Sequence, residues 1–238
     1  MSTVSAIAPS TSSHAPRAQP GGRQDFAALL HQRGVPEAPR ARAWESVPNS
    51  AFRQRIAQAE RSAEQAQGGY GVRNPNSGAL GRYQFTPITL QDLGWRTAHG
   101  AWTQLAERHG VRSEQDFLGN HAAQESAMTM FLRRVEVQLD RNGAAAQQGA
   151  TLRGIGGQEI TLTESGLMGA AHRRGAGMVA RWINHRTHTP DAPLSAAQRA
   201  AFAQVERRLQ DFSAVAYAPT RAVPPARVIA ANTGTPAS

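Results

Sequence analysis

The chain has 238 residues, of which 40% are hydrophobic, and this is enough for one ordinary domain with a core. It contains no cysteine, which excludes a disulfide framework, a thiolate metal site and a cysteine nucleophile. All 26 basic residues are arginines, and the formal net charge of +9 favours an anionic partner, such as a nucleic acid or the acidic polymers and stem-peptide carboxylates of a bacterial wall.

The composition of the two ends differs from that of the middle. Residues 1–22 are rich in Ser, Thr, Ala, Pro and Gly, which predicts a disordered leader without the charged and apolar regions of a Sec signal peptide. A short helix and a linker are predicted over residues 23–48, a domain over 49–212, and a disordered Ala/Pro/Thr tail over 213–238. No apolar stretch is long enough to predict a membrane span.

The middle of the chain has helical periodicity, and the predicted fold class is mainly α. From residue 49 to 64, Phe52, Ile56, Glu60 and Glu64 recur every four residues, which predicts one helical face. The further predicted helices are Pro87–Leu93, Ala101–His109, Asn120–Asp140, Glu164–Arg173 with Thr163 as its cap, Met178–His185, and a helix from the capping box Ser195/Gln198 to Phe212. The glycine-rich stretch Gln147–Thr161 predicts a loop or a short hairpin.

One segment between the first two helices is dense in glycine and asparagine and ends in an aromatic run and a proline. It covers residues 69–87 and contains the sequence Ser-Gly-Ala-Leu-Gly-Arg-Tyr-Gln-Phe-Thr-Pro from Ser77 to Pro87. This pattern resembles the substrate loop of the soluble lytic transglycosylases, a lysozyme-like family in which the loop follows a helix that ends on a catalytic Glu.

Two further blocks follow in the order of that family. Residues 117–127 resemble the start of the family's long helix, and residues 169–179 resemble the Ala-Tyr-Asn-Ala-Gly motif that closes its groove, with His172 and Arg173 in place of the usual Tyr and Asn. The three blocks together cover about residues 50–185. The resemblance implies a lysozyme-like helical domain with a glycine-rich loop lining a sugar groove.

The resemblance implies one catalytic Glu, and two residues are candidates for it. The Glu-Ser-Gly of the family occurs here as Glu164-Ser165-Gly166, after the long helix and therefore in the wrong order. Glu60 has the more apolar setting, whereas Glu64 lies at about the family's distance from Gln84. Glu64 is preferred because its predicted place at the end of the helix gives it reach into the groove.

Other residues are candidates for binding substrate. The resemblance places Ser77, Tyr83 and Gln84 in the loop, Glu125 early in the long helix, and His172 with Arg173 on the far wall. Each has a structural alternative: Tyr83 and His172 as packing residues, and Glu125 as an acid that favours a helix N-terminus. The other arginine pairs, Arg133-Arg134 and Arg207-Arg208, are predicted to be solvated.

The function implied is cleavage of peptidoglycan glycan strands by one Glu, with attack by the muramic acid 6-hydroxyl and formation of a 1,6-anhydro end. A muramidase, which needs a second carboxylate, remains an alternative, as does a non-catalytic component of a phage tail or a flagellar or secretion apparatus. A nucleic-acid protein is supported by charge alone. No cofactor or metal ligand pattern is found, and a periplasmic, cell-wall or virion location reached by a non-Sec route is expected.

Overall fold

The structure is a computed structural model that describes residues 42–220. Within that range the chain is mainly helical, as the sequence predicts, with one antiparallel hairpin as its only sheet. The α-helices are α1 (Ser50–Ala59), α2 (Pro87–Asp92), α3 (Gln104–Arg108), α4 (Glu114–Gly119), α5 (His121–Arg141), α6 (Glu164–Arg174), α7 (Ala176–His188) and α8 (Ala196–Phe212). The strands are β1 (Thr151–Arg153) and β2 (Glu159–Thr161), and two 3-10 turns cover Ala66–Gly69 and Ala145–Gln147.

Side chains cap three of the helices in the second half of the chain, and two of these caps, Thr163 and the Ser195/Gln198 box, were predicted from the sequence. The side chain of Asn120 accepts a hydrogen bond from the backbone N–H of Ala123 at the start of α5, and Thr163 caps α6 in the same way. Ser195 and Gln198 form the reciprocal capping box of α8. These polar side chains satisfy backbone N–H groups that the first helical turn leaves without partners.

The block over residues 117–127, which resembles the start of the family's long helix, spans two helices in the structure. Phe117 and Gly119 belong to α4, a separate short helix, rather than to the start of α5. Ser113 accepts a hydrogen bond from the backbone N–H of Asp116 and so begins α4. The signal was present in the sequence, because Ser113 is followed by two acidic residues in the first turn, which is typical of a helix start.

The first helix ends five residues earlier than predicted. Helix α1 stops at Ala59, because Arg61 adopts a left-handed conformation with φ of 57°. The backbone N–H of Arg61 then bonds to Gln58 O, and that of Ser62 to Ala57 O, which together form a Schellman motif. Glycine usually occupies the left-handed position of this motif, so the arginine there concealed the helix end in the sequence.

Helix α6 occupies the centre of the helical packing. It contacts α5, α7 and α8, and its residues from Ser165 to Ala171 are all buried. Two glycines allow α8 to approach closely, because a Cβ at Gly169 would lie 2.6 Å from the ring of Phe212 and one at Gly166 would lie 2.9 Å from Leu209 O. This contact brings the C-terminal end of α8 near the end of α6 and the end of α1.

The loop over residues 69–87 is a set of tight turns held against α5. The side chain of Gln124 accepts a hydrogen bond from the backbone N–H of Arg82 and donates to the carbonyls of Tyr70 and Phe117. Gly81, with φ of 72°, packs directly on that amide, where any Cβ would clash. The predicted shaped loop therefore has an anchor inside the core that the sequence did not indicate.

The predicted tail begins later than residue 213. The hydroxyl of Tyr217 and the backbone and side chain of Thr220 donate hydrogen bonds to the buried carboxylate of Glu136 on α5. Asn49 and Ala218 also exchange two hydrogen bonds. Residues 213–220 are thus attached to the domain, while the predicted leader and short helix over 1–41 and the remaining tail over 221–238 lie outside the described residues.

No helix in the described range combines the length and the apolar character that crossing a membrane requires.

Candidate functional site

A carboxylate lies at the point where the ends of α1, α6 and α8 meet. Glu60 is the C-cap residue of α1, and its side chain is only 10% exposed. Its Oε1 accepts a hydrogen bond from Arg208 Nη2 at 2.8 Å, and its Oε2 accepts one from Arg173 Nη1 at 3.4 Å. The carboxylate is therefore shared by two guanidinium groups that come from different helices.

Glu60 lies between two connected spaces. On the α8 side is a wide cleft of about 750 Å³, and on the α6 side is a recess of about 90 Å³. Both are lined by Glu60, Gln84 and Arg173. The cleft is polar and the recess is partly apolar, with Phe85, Phe131, Thr86 and Thr89 among its lining residues.

Gln84 brings the 69–87 loop to this site. It has φ of 51°, a left-handed conformation that L-residues other than Asn and Asp rarely adopt, and its side-chain amide donates to Gly81 O at 2.9 Å. Arg61, the other strained residue near Glu60, lines the same cleft. Backbone strain of this kind costs about 1–3 kcal/mol per residue and is concentrated at functional sites.

The far wall of the site comes from the end of α6, where the sequence predicted it. His172 Nδ1 lies 3.9 Å from Glu60 Oε1, and the ring packs edge-on against Phe131. Burial lowers the pKa of His172 to about 4; Glu60 opposes this effect, whereas Arg208 and Arg173 add to it. The imidazole is therefore neutral at pH 7 and adds no positive charge beside the carboxylate.

Arg208 is a residue of this site that the sequence analysis missed. Its side chain is 9% exposed rather than solvated as predicted, and burial lowers the pKa of its guanidinium while Glu60 raises it. Its Nη1 is buried and has no hydrogen-bond partner among the described residues. A signal was available, because Arg208 follows Val205 by three residues and precedes Phe212 by four, which puts it on the buried face of α8.

Glu125 forms a second carboxylate cluster, inside the core. It is 4% exposed, and Arg53 Nη1 donates to its Oε2 at 2.7 Å. The hydroxyls of Tyr70 and Tyr83 both donate to its Oε1 at 2.6 Å. Burial and Glu125 together raise the pKa of both tyrosines well above the ordinary range, so the two hydroxyls stay protonated as donors. The structure does not bring Glu125 to the cleft. Tyr83 lines the recess beside Glu60, but its hydroxyl is bonded to Glu125 in the core.

Two other predicted site residues also lie elsewhere. Glu64 is exposed in the turn after α1, with no ion-pair partner in the described part of the chain, and it does not line the cleft or the recess. Ser77 is exposed, and its hydroxyl accepts a hydrogen bond from the backbone N–H of Ala79 at 3.3 Å. The predicted reach of Glu64 depended on a helix that continued to residue 64, and α1 ends before it.

Asp211 is a second carboxylate of the wide cleft. It lies one turn beyond Arg208 on α8, and its side chain is 38% exposed. Arg55 of α1 contacts it at 3.6 Å and also donates to its backbone carbonyl. The sequence analysis did not consider Asp211, because the resemblance ends before α8.

The described residues contain no group of three or more His, Asp or Glu side chains that could hold a metal ion. The arrangement instead defines a helical domain with one nearly buried, arginine-bound carboxylate at the junction of a basic cleft and a small apolar recess. Proton transfer by that carboxylate is the chemistry the site can perform.

No model of a known protein family matches the chain, and comparisons with curated proteins and with solved structures find no protein that matches it.

Proposed function

We propose that this protein is a peptidoglycan lytic transglycosylase with a lysozyme-like fold and with Glu60 as its single catalytic acid and base. One observation carries the proposal: two of the three sequence blocks that resemble the family, the glycine-rich loop and residues 169–179, meet at a carboxylate on the preceding helix. Glu60 comes from the first helix, Gln84 from the glycine-rich loop, and His172 with Arg173 from the last block. The fold itself is supported by the mainly helical architecture and by the position of the acid at a helix end.

The chemistry requires two successive proton transfers at one carboxyl group. The protonated carboxyl of Glu60 gives its proton to the glycosidic oxygen as the bond from that oxygen to the muramic acid C1 breaks. The resulting carboxylate then accepts the proton of the 6-hydroxyl, whose oxygen bonds to C1 and closes the 1,6-anhydro ring. One carboxyl group is sufficient because water does not take part.

Glu60 must be released from part of its arginine contacts to carry that proton. The contact with Arg173 is the one that substrate can replace, since it is the longer at 3.4 Å and the Arg173 side chain is 50% exposed. The contact with Arg208 is shorter and nearly buried, so it holds the carboxyl in position during the reaction. Gln84, which lines both the cleft and the recess, would bind an N-acetyl group or a sugar hydroxyl.

A muramidase is the second candidate, and Asp211 is the observation that favours it. A hydrolase of the usual type needs a second carboxylate across the sugar from the acid, to bind or activate the attacking group. Asp211 lines the same cleft as Glu60 and is partly exposed. Arg55 contacts it at 3.6 Å.

Product analysis separates these candidates. Purified protein is incubated with peptidoglycan, and the released fragments are analysed by mass spectrometry. Anhydro-muropeptides are expected, and they should disappear with Glu60→Gln and persist with Asp211→Asn. Reducing ends that are lost with Asp211→Asn would establish the muramidase instead. If the wild-type protein releases nothing but sediments with peptidoglycan, the chain is a binding module and the proposal fails.

A further inference from the structure

The wide cleft has a strongly basic side that acid and base chemistry at Glu60 does not require. Five arginines line it, against two carboxylates, Glu60 and Asp211. The arginines come from α1 and the turn after it, from the end of α6, and from α8: Arg55, Arg61, Arg173, Arg207 and Arg208. This side faces a space of about 750 Å³, several times that of the apolar recess.

The five arginines differ in whether they already have an ion-pair partner. Arg55 pairs with Asp211, and Arg173 and Arg208 pair with Glu60. Arg61 and Arg207 are exposed, and neither has a side-chain hydrogen bond or an ion pair within residues 42–220. The cleft therefore offers two arginines that are free to bind an anion, one from the turn after α1 and one from α8.

We propose that Arg61 and Arg207 form a subsite for the carboxylates of the stem peptide, so that the protein selects glycan strands that carry peptides over stripped strands. This inference rests on the proposed function, because it names the substrate class of the same cleft. Guanidinium groups bind carboxylates through paired hydrogen bonds, and two of them beside an open polar cleft suit a flexible acidic peptide.

The difference between the recess and the wide cleft supports this assignment. The recess beside His172 is small and partly apolar, which suits a small apolar substituent of a sugar such as the methyl of an N-acetyl group. The basic cleft lies on the other side of Glu60 and has no aromatic lining residue among those that form it. A surface for single-stranded nucleic acid ordinarily combines basic residues with aromatic side chains that stack on the bases, so the polar lining favours the peptide.

The test measures binding in a protein that cannot cut. In the Glu60→Gln background, dissociation constants are measured by fluorescence anisotropy for three labelled soluble strands: with intact stem peptides, with the peptide carboxylates amidated, and with the peptides removed by an amidase. Arg61→Gln and Arg207→Gln are introduced together. Arg199→Gln is the matched control, because Arg199 is an exposed arginine of the same helix α8 that does not line the cleft.

Intact strands should bind about five- to tenfold more tightly than amidated or stripped strands, since an exposed charge pair contributes up to about fivefold in affinity. The double substitution should abolish this preference, and Arg199→Gln should keep it. Equal affinity for all three strands, an equal loss with Arg199→Gln, or tighter binding of a single-stranded DNA of matched length would overturn the subsite. Cleavage by the wild-type protein is measured separately: cleavage without preference refutes only the subsite, and preference without cleavage refutes only the proposed enzyme.

Discussion

Two carboxylates in this molecule have similar burial and the same kind of partner, yet they differ in what surrounds them. The side chains of Glu60 and Glu125 are 10% and 5% exposed, and each is paired with arginine. Glu125 also accepts hydrogen bonds from two tyrosine hydroxyls, and apolar helices enclose it. Glu60 instead borders a cleft and a recess, and one of its two arginines is half exposed.

The comparison shows that burial and charge pairing do not identify a functional acid by themselves. A carboxylate with all its hydrogen-bond positions occupied inside a core stabilises the fold, because its partners would be left uncompensated without it. A carboxylate whose partner can be exchanged for a ligand at an open cleft can take part in chemistry. Substitution of Glu60 should therefore affect mainly activity, and substitution of Glu125 mainly stability.

The largest effect is expected on activity. Glu60→Gln removes the proton donor and should slow the release of glycan fragments by about 10²- to 10⁴-fold. The rate is measured by fragment release from purified peptidoglycan. Glu64→Gln is the matched control and should change the rate by less than about twofold, because Glu64 is exposed and outside the cleft. A full loss of activity with Glu64→Gln would instead identify Glu64 as the acid, as the sequence analysis preferred.

The next effect is expected on stability. Glu125→Gln leaves the buried guanidinium of Arg53 without its counter-charge and should lower the free energy of unfolding by about 3–5 kcal/mol. Denaturant titration followed by circular dichroism measures this loss, and Glu60→Gln should lose less because one of its two arginines, Arg173, is half exposed. If Glu125→Gln keeps its stability but loses activity, Glu125 belongs to the site and the comparison is wrong.

The Glu125 cluster should also lose its contribution to the stability of the fold at alkaline pH. The pKa values of Tyr70 and Tyr83 are raised by burial and by Glu125, so these hydroxyls bind protons more tightly in the folded state than in the unfolded state. Their stabilisation is complete below the ordinary pKa of 10.0 and decreases as the pH rises above it, by up to about 1.4 kcal/mol per pH unit for each tyrosine. No lysine titrates in this range. Tyr83→Phe should halve the slope of unfolding free energy against pH, and an unchanged slope would exclude this cause.

The smallest effect is expected on stability at acidic pH, through His172 at the Glu60 site. The pKa of His172 is lowered from 6.5 to about 4, so the unfolded state binds its proton first. Stability is therefore complete above pH 6.5 and decreases as the pH falls toward 4, by up to about 3 kcal/mol in total. Thermal melts of His172→Phe should show less of this decrease between those values. The control His188→Gln, an exposed histidine of α7, should behave as the wild type.

Local signals predicted most of the helices correctly. Asn120, Thr163 and the Ser195/Gln198 box begin helices where the sequence placed them, because a capping side chain acts on backbone groups only two or three residues away. The end of α1 was missed, since its left-handed residue is an arginine and not a glycine. Because the predicted helix was five residues too long, Glu64 rather than Glu60 stood at its predicted end, and Glu64 was preferred as the acid.

The sequence alone determined the mainly helical class and the turn-rich loop, because these depend on short-range periodicity and turn chemistry. Only the tertiary structure decided which acid borders the cleft, that Arg208 and Asp211 join it from α8, and that Glu125 and Tyr83 do not. Those facts depend on how helices separated by up to about 150 residues pack, and the close approach of α6 and α8 is what brings Arg208 to Glu60.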